Sequence, residues 1–230
     1  MSLLGVKTAV VSLGMSCQSS YQIELHAKLI GRLCGDSAAK ASRFPFDNII
    51  CPPRSAMRML CVDRFHPESI DDLTVSGGGG YWGEMDAHYW HECGPIRSSL
   101  SLRKIMNPQK SFERLVTKYA HTARKFRQLS KTQRLVFVIS NSQNNLDMVA
   151  RTIGDFDFVL KLNEVDALAE RADAYFGRPC EYVIATYSDR ATGQSRRSNV
   201  SVHHLSPDGS EWRGDPAQWE AVFRHVMAKS

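Results

Sequence analysis

A cysteine placed where a strand ends and a helix begins has the chemistry of a nucleophile, and Cys17 holds such a place. Residues 6–13 (VKTAVVSL) form a short apolar, β-branched run that predicts a buried strand, Gly14 and Ser16 offer a turn and a cap, and helical spacing starts at Gln18. Unpaired N–H groups and the dipole at a helix N-terminus favour thiolate over thiol, and the same groups can hold the oxyanion formed when a carbonyl is attacked. The competing expectation is a Cys17 that packs as a small hydrophobe, as most cysteines outside disulfides do.

Other constellations are weaker. The six cysteines, at 17, 34, 51, 61, 93 and 180, are dispersed and contain no C-x-x-C, so reduced thiols are expected rather than a disulfide framework. His88, His91 and Cys93 spell H-x-x-H-x-C without a second ligand pair, and neither a metal nor another cofactor is expected. The glycine run at 76–80 (SGGGG) lacks the preceding strand and following G-K-[ST] of a phosphate loop, which leaves a flexible lid or linker.

The elements that must position Cys17 follow from the rest of the chain. Its 230 residues suit a single domain, 1–230, and 43% hydrophobic with 23% charged residues exclude disordered and fibrous classes. No apolar window is long enough to span a membrane and residues 1–5 do not resemble a signal peptide, so the cytoplasm is the expected location. Residues 18–34 predict a helix with a broad apolar face, and Pro52-Pro53 starts another. Residues 81–93 read as irregular, within an irregular insertion around residues 66–110. From 135 onward strand and helix alternate: strands at 135–140, 156–162, 180–187 and 200–205, helices at 145–153, 165–175 and 216–228. That alternation predicts an α/β fold of three layers, a mostly parallel sheet with helices on both faces. Such sheets carry their chemistry at the carboxyl ends of the strands, where Cys17, Asn141 and Ser188 fall.

The net charge of +5 comes from one segment. Residues 97–134 hold eleven Lys or Arg and one acid, Glu113, while the remainder carries 18 basic and 23 acidic residues. Phe112, Leu115, Tyr119, Ala123 and Phe126 recur at helical spacing there, with Arg114, Lys118, Arg124, Lys125 and Arg127 on the other faces. A solvated helix face is the simpler expectation; an acidic partner, phosphorylated partner or membrane surface is the alternative. Aromatic-interleaved basic motifs are lacking, which argues against nucleic acid.

The string Ser12-Leu13-Gly14-x-x-Cys17, then a helix, then Phe44-Pro45-Phe46-Asp47, resembles a bacterial family of papain-like cysteine peptidases. The resemblance covers roughly the first 65 residues and can be traced more thinly to about residue 140. Asn48 departs from the tryptophan usual after that family's PFD. The resemblance implies Cys17 as nucleophile, His91 of His91-Glu92 as base, and Asp47 as orienter or structural anchor. A cysteine enzyme needs an imidazole to take the thiol proton and a third group to fix its tautomer. Eight histidines compete; His91, in the Gly- and Trp-rich segment, ranks ahead of His204, which follows a predicted strand, and of His88. Asp47 suits a helix cap or Asx-turn equally well. The expected function is a cysteine hydrolase or acyl transferase attacking an amide, ester or thioester carbonyl. The alternatives are a non-catalytic α/β binding module with a basic face and an SGNH-like esterase, the latter disfavoured by Gln218 where a D-x-x-H block would need histidine.

Overall fold

The computed structural model describes residues 8–35, 43–76, 79–90, 92, 107–146, 149, 151, 156–210 and 212–228. β1 (Thr8–Ser12) leads into α1 (Gln18–Leu25) and α2 (Ala27–Leu33), and α3 (Pro53–Val62) precedes the short strands β2 (Leu73–Ser76), β3 (Gly79–Trp82) and β4 (Ala87–Tyr89). α4 (Pro108–Arg127) then feeds β5 (Arg134–Ser140). After it come β6 (Leu160–Lys161), α5 (Leu162–Phe176), β7 (Glu181–Thr186), β8 (Ala191–Thr192), β9 (Val200–His204) and α6 (Pro216–Met227).

The main sheet is parallel throughout, in the order β1-β5-β7-β9, with Val10 opposite Val136 and Val138 opposite Val183. Side chains alternate across it. Val136, Val138, Val183 and Ala185 pack against Ile30 of α2 and Trp219, Val222, Phe223 and Val226 of α6. Phe137, Ile139, Tyr182 and Ile184 face the larger core beneath α3, α4 and α5. The fold is the expected three-layer α/β arrangement, and β5 is buried along nearly its whole length because helices cover both its faces. No helix among the described residues is long and apolar enough to cross a membrane.

Local expectations fared unevenly. The segment expected to be irregular contains an antiparallel sheet, β2-β3-β4, held to the core by fully buried Trp82 and Tyr89 and by the paired backbones of Ile50 and His88. Ser76 pairs with Gly79 in that ladder, so the ends of the glycine run belong to a hairpin. Residues 156–162 give only the two-residue β6, paired with β8 outside the main sheet. The helix expected at 18–34 breaks at His26 (φ −96°, ψ 11°), whose Nδ1 lies 2.9 Å from Gln22 O and Nε2 3.1 Å from Pro216 O. α1 also buries Gln18, Ser19 and Gln22 while Leu25 is exposed, the opposite of an apolar inner stripe. The helix expected at 145–153 lies largely outside the described residues.

Candidate active site

The turn after β1 is sharp because two successive residues are left-handed, Gly14 (φ 91°) and Met15 (φ 70°). Leu13 N–H donates to Val138 O at 3.0 Å, and Met15 N–H to Cys51 O at 2.9 Å, which pins the turn on both sides. A Cβ on Gly14 would stand 2.8 Å from Cys51 Sγ, so glycine is required by contact as well as by backbone angle. Cys17 follows in helical conformation (φ −71°, ψ −9°) at the head of α1.

Asp47 reaches the same place from a 3₁₀ turn, Pro45–Asn48. Its Oδ2 accepts from Phe44 N–H at 2.8 Å, and the Ser20 hydroxyl lies 2.8 Å from Asp47 O and 3.0 Å from Cys17 O, clipping that turn to the first turn of α1. Asp47 thus caps its own 3₁₀ turn through the N–H three residues before it, whereas the sequence pattern predicts a cap on the following helix or an Asx-turn. Cys17 and Asp47 both line one cavity of about 510 Å³, whose walls include Tyr21, Phe44, Trp90 and Trp212.

Burial dominates the electrostatics. It pushes the Cys17 thiol up to about 11, opposed by the residue's own backbone N–H; the charge of Asp47 adds to the rise and Lys118 opposes it. Desolvation thus outweighs the helix-terminal N–H groups from which a thiolate was expected. Asp47 is raised by burial to about 7, against the Phe44 N–H and the charges of Arg43, Lys118 and Lys125. Lys118 is ion-paired with Glu92. The Tyr119 hydroxyl is buried without a hydrogen-bond partner among the described residues, its pKa driven well up by burial and by the charges of Glu92, Tyr89, Cys17 and Asp47.

His91, the base favoured from sequence, lies outside the described residues, as does Cys93. Its sequence neighbours are placed: Trp90 lines the cavity, and Glu92 holds Lys118. His88 is wedged between Tyr81 (4.4 Å) and Phe156 (6.0 Å), and burial lowers its pKa to about 4, so it is a neutral structural ring away from the cavity lining. His204 ends β9, three strands from β1, a separation of roughly 14 Å at the usual spacing. That sets it apart from the strand that leads to Cys17. Among the described residues, no three His, Cys, Asp or Glu side chains are grouped to hold a metal ion.

The sequence reading missed a buried polar network along the carboxyl ends of β1 and β5. Gln18 Oε1 accepts from the Ser140 and Ser142 hydroxyls, both at 2.7 Å, Ser16 Oγ donates to Ser140 O at 2.9 Å, and the Ser12 and Ser19 hydroxyls bond at 2.7 Å. Gln22 Nε2 donates to Arg213 O at 2.5 Å. A signal was available: the polar runs at 16–20 (SCQSS) and 140–145 (SNSQNN) both lie at the carboxyl end of a predicted strand.

Of the basic residues on α4, Lys118 pairs with Glu92, Arg127 with Asp63 at 2.9 Å, and the Lys125 ammonium stands 5.7 Å from the Phe44 ring centroid. Arg114 and Arg124 are exposed. No protein-family model, curated protein or solved structure matches the chain.

Proposed function

We propose that the chain is a cysteine-dependent hydrolase or acyl transferase in which Cys17 attacks an amide, ester or thioester carbonyl. What carries this is the convergence of the Cys17 thiol and the Asp47 carboxyl on one cavity at the carboxyl end of β1. A thiol near 11 is almost wholly protonated at neutral pH, so attack requires a base that removes the proton as the S–C bond forms. His91 fills that role, as the resemblance implies, with Asp47 stabilising the imidazolium. The leaving group departs with the proton, and water or an acceptor nucleophile then cleaves the thioester and returns the thiol. A cytoplasmic setting, where thiols stay reduced, suits this chemistry.

The alternative is a non-catalytic module whose α4 face meets an acidic partner. The raised Cys17 pKa favours it, whereas the internal pairing of Lys118 and Arg127 counts against it. The two separate on a panel of activated esters and thioesters assayed with wild type, Cys17→Ala and His91→Gln. The expected result is turnover with a Cys17 acyl adduct in wild type, none in Cys17→Ala, and at least a ~100-fold loss in His91→Gln, with unchanged circular dichroism. Turnover persisting in folded Cys17→Ala would end the assignment.

A further inference from the structure

We propose that the group seated beside Cys17 is an uncharged, largely apolar acyl chain, which makes fatty-acyl-type esters or thioesters the substrate class. This rests on the cysteine-nucleophile reading above and adds the identity of the acyl part. The cavity of about 510 Å³ is of the size that holds small-molecule ligands, room for a chain of intermediate length with its reacting carbonyl. Among the described residues its walls carry four aromatic rings, Tyr21, Phe44, Trp90 and Trp212, with Ile23 and Ile50.

Several polar groups on the lining are already engaged by the protein. The Ser12 hydroxyl bonds Ser19, the Ser20 hydroxyl sits on the carbonyls of Cys17 and Asp47, and Asp47 Oδ2 takes the Phe44 N–H. Gln143 Nε2 donates to Asn145 Oδ1 at 2.9 Å, while its buried Oε1 has no hydrogen-bond partner among the described residues and can accept a single donor, fewer than the repeating N–H and C=O groups of a peptide would need. Among the described lining residues the one cation, Arg43, stands 3.8 Å from Glu24 on exposed side chains, so the two charges offset one another near solvent; the Lys125 ammonium lies outside the lining, over the Phe44 ring. A peptide would bring an N–H and a C=O with every residue, each costing about 1–3 kcal/mol if buried unpaired. An alkyl chain brings none and gains from each methylene removed from water. The edge of β1 away from β5 has no strand partner among the described residues and is the feature a peptide would use, so a peptide is the competing outcome.

The covalent step is ordinary acyl transfer: the thiol proton passes to the base as the sulfur forms a bond to the acyl carbon, and the C–O bond of an ester or the C–S bond of a thioester breaks to release the alkoxide or thiolate, which takes up that proton or leaves as the anion. The probes are p-nitrophenyl acetate, butyrate and octanoate, with nitrophenolate release followed by absorbance and the Cys17 adduct by mass spectrometry. Rates are normalised to those of a small free thiol. The expected result is a kcat/KM for octanoate roughly tenfold or more above acetate. Trp212→Ala, which removes one partly buried wall, compresses that ratio. A flat or falling series with Cys17 acylated, or a polar peptidyl thioester outcompeting octanoyl, overturns the apolar chain while leaving the nucleophile intact. Absence of any Cys17 adduct overturns both.

Discussion

Asp47 couples the chemistry of the site to the stability of the fold. In the unfolded chain it titrates near 3.8, and in the folded protein near 7. Below pH 4 both states hold the proton. Between pH 4 and 7 the unfolded chain releases it while the folded protein keeps it, so stability falls as pH rises through this window and levels off above 7. The size of the fall is about 4 kcal/mol, a large part of the roughly 5–15 kcal/mol that holds a domain together. Asp47→Asn keeps an acceptor for the Phe44 N–H and cannot ionise, so its urea midpoint should vary less between pH 4 and 7 and exceed that of wild type at pH 8. Parallel pH profiles for the two proteins would show that Asp47 is not the group responsible. The same variant should lose activity, because a neutral amide stabilises an imidazolium less than a carboxylate does.

At the scale of elements, the turn from β1 to α1 fixes where the sulfur sits. Gly14→Ala asks an L-residue to hold φ 91° and places a Cβ against Cys51 Sγ. A loss of about 2 kcal/mol or more is expected in chemical denaturation, with partial recovery in Gly14→Ala/Cys51→Ala. An unchanged midpoint would mean that the turn relaxes freely. The strand, the turn and the position of Cys17 were legible in the sequence because Gly14 and the β-branched run are local signals. The orientation of α1 was not. The usual apolar-stripe rule fails there because Gln18, Ser19 and Gln22 find buried polar partners: Gln18 in Ser140 and Ser142 and Gln22 in Arg213 O, all more than a hundred residues away, and Ser19 in Ser12 of β1. The β2-β3-β4 sheet was equally hidden: its composition is rich in glycine and tryptophan, and its link to the core runs through the distant pairing of Ile50 with His88.

For the whole molecule, the layer order followed from the alternation of strand and helix, but the way distant segments are fastened together did not. Phe126 of α4 is the clearest fastening. Its ring lies 6.3 Å from Phe44, 5.7 Å from Phe46, 5.5 Å from Phe65, 6.2 Å from Phe137 and 5.2 Å from Phe176, centroid to centroid. It thereby joins the segment bearing Asp47 to β5 and α5. Phe126→Ala should cost about 3–5 kcal/mol, measured by chemical denaturation, and a loss below about 1 kcal/mol would mean the neighbouring rings close the gap unaided. This fastening and the pinned turn leave the sulfur and the carboxyl little freedom to drift. The exposed Glu24 and Arg43 hold one another only through an ion pair at 3.8 Å near solvent, and the partly buried Trp212 rests edge-on against Tyr21 at 5.0 Å, ties looser than the buried ring cluster. Under the proposed chemistry, descendants of this chain can exchange those three residues and acquire new tastes in cargo, generation by generation, while the pinned turn stays as it is.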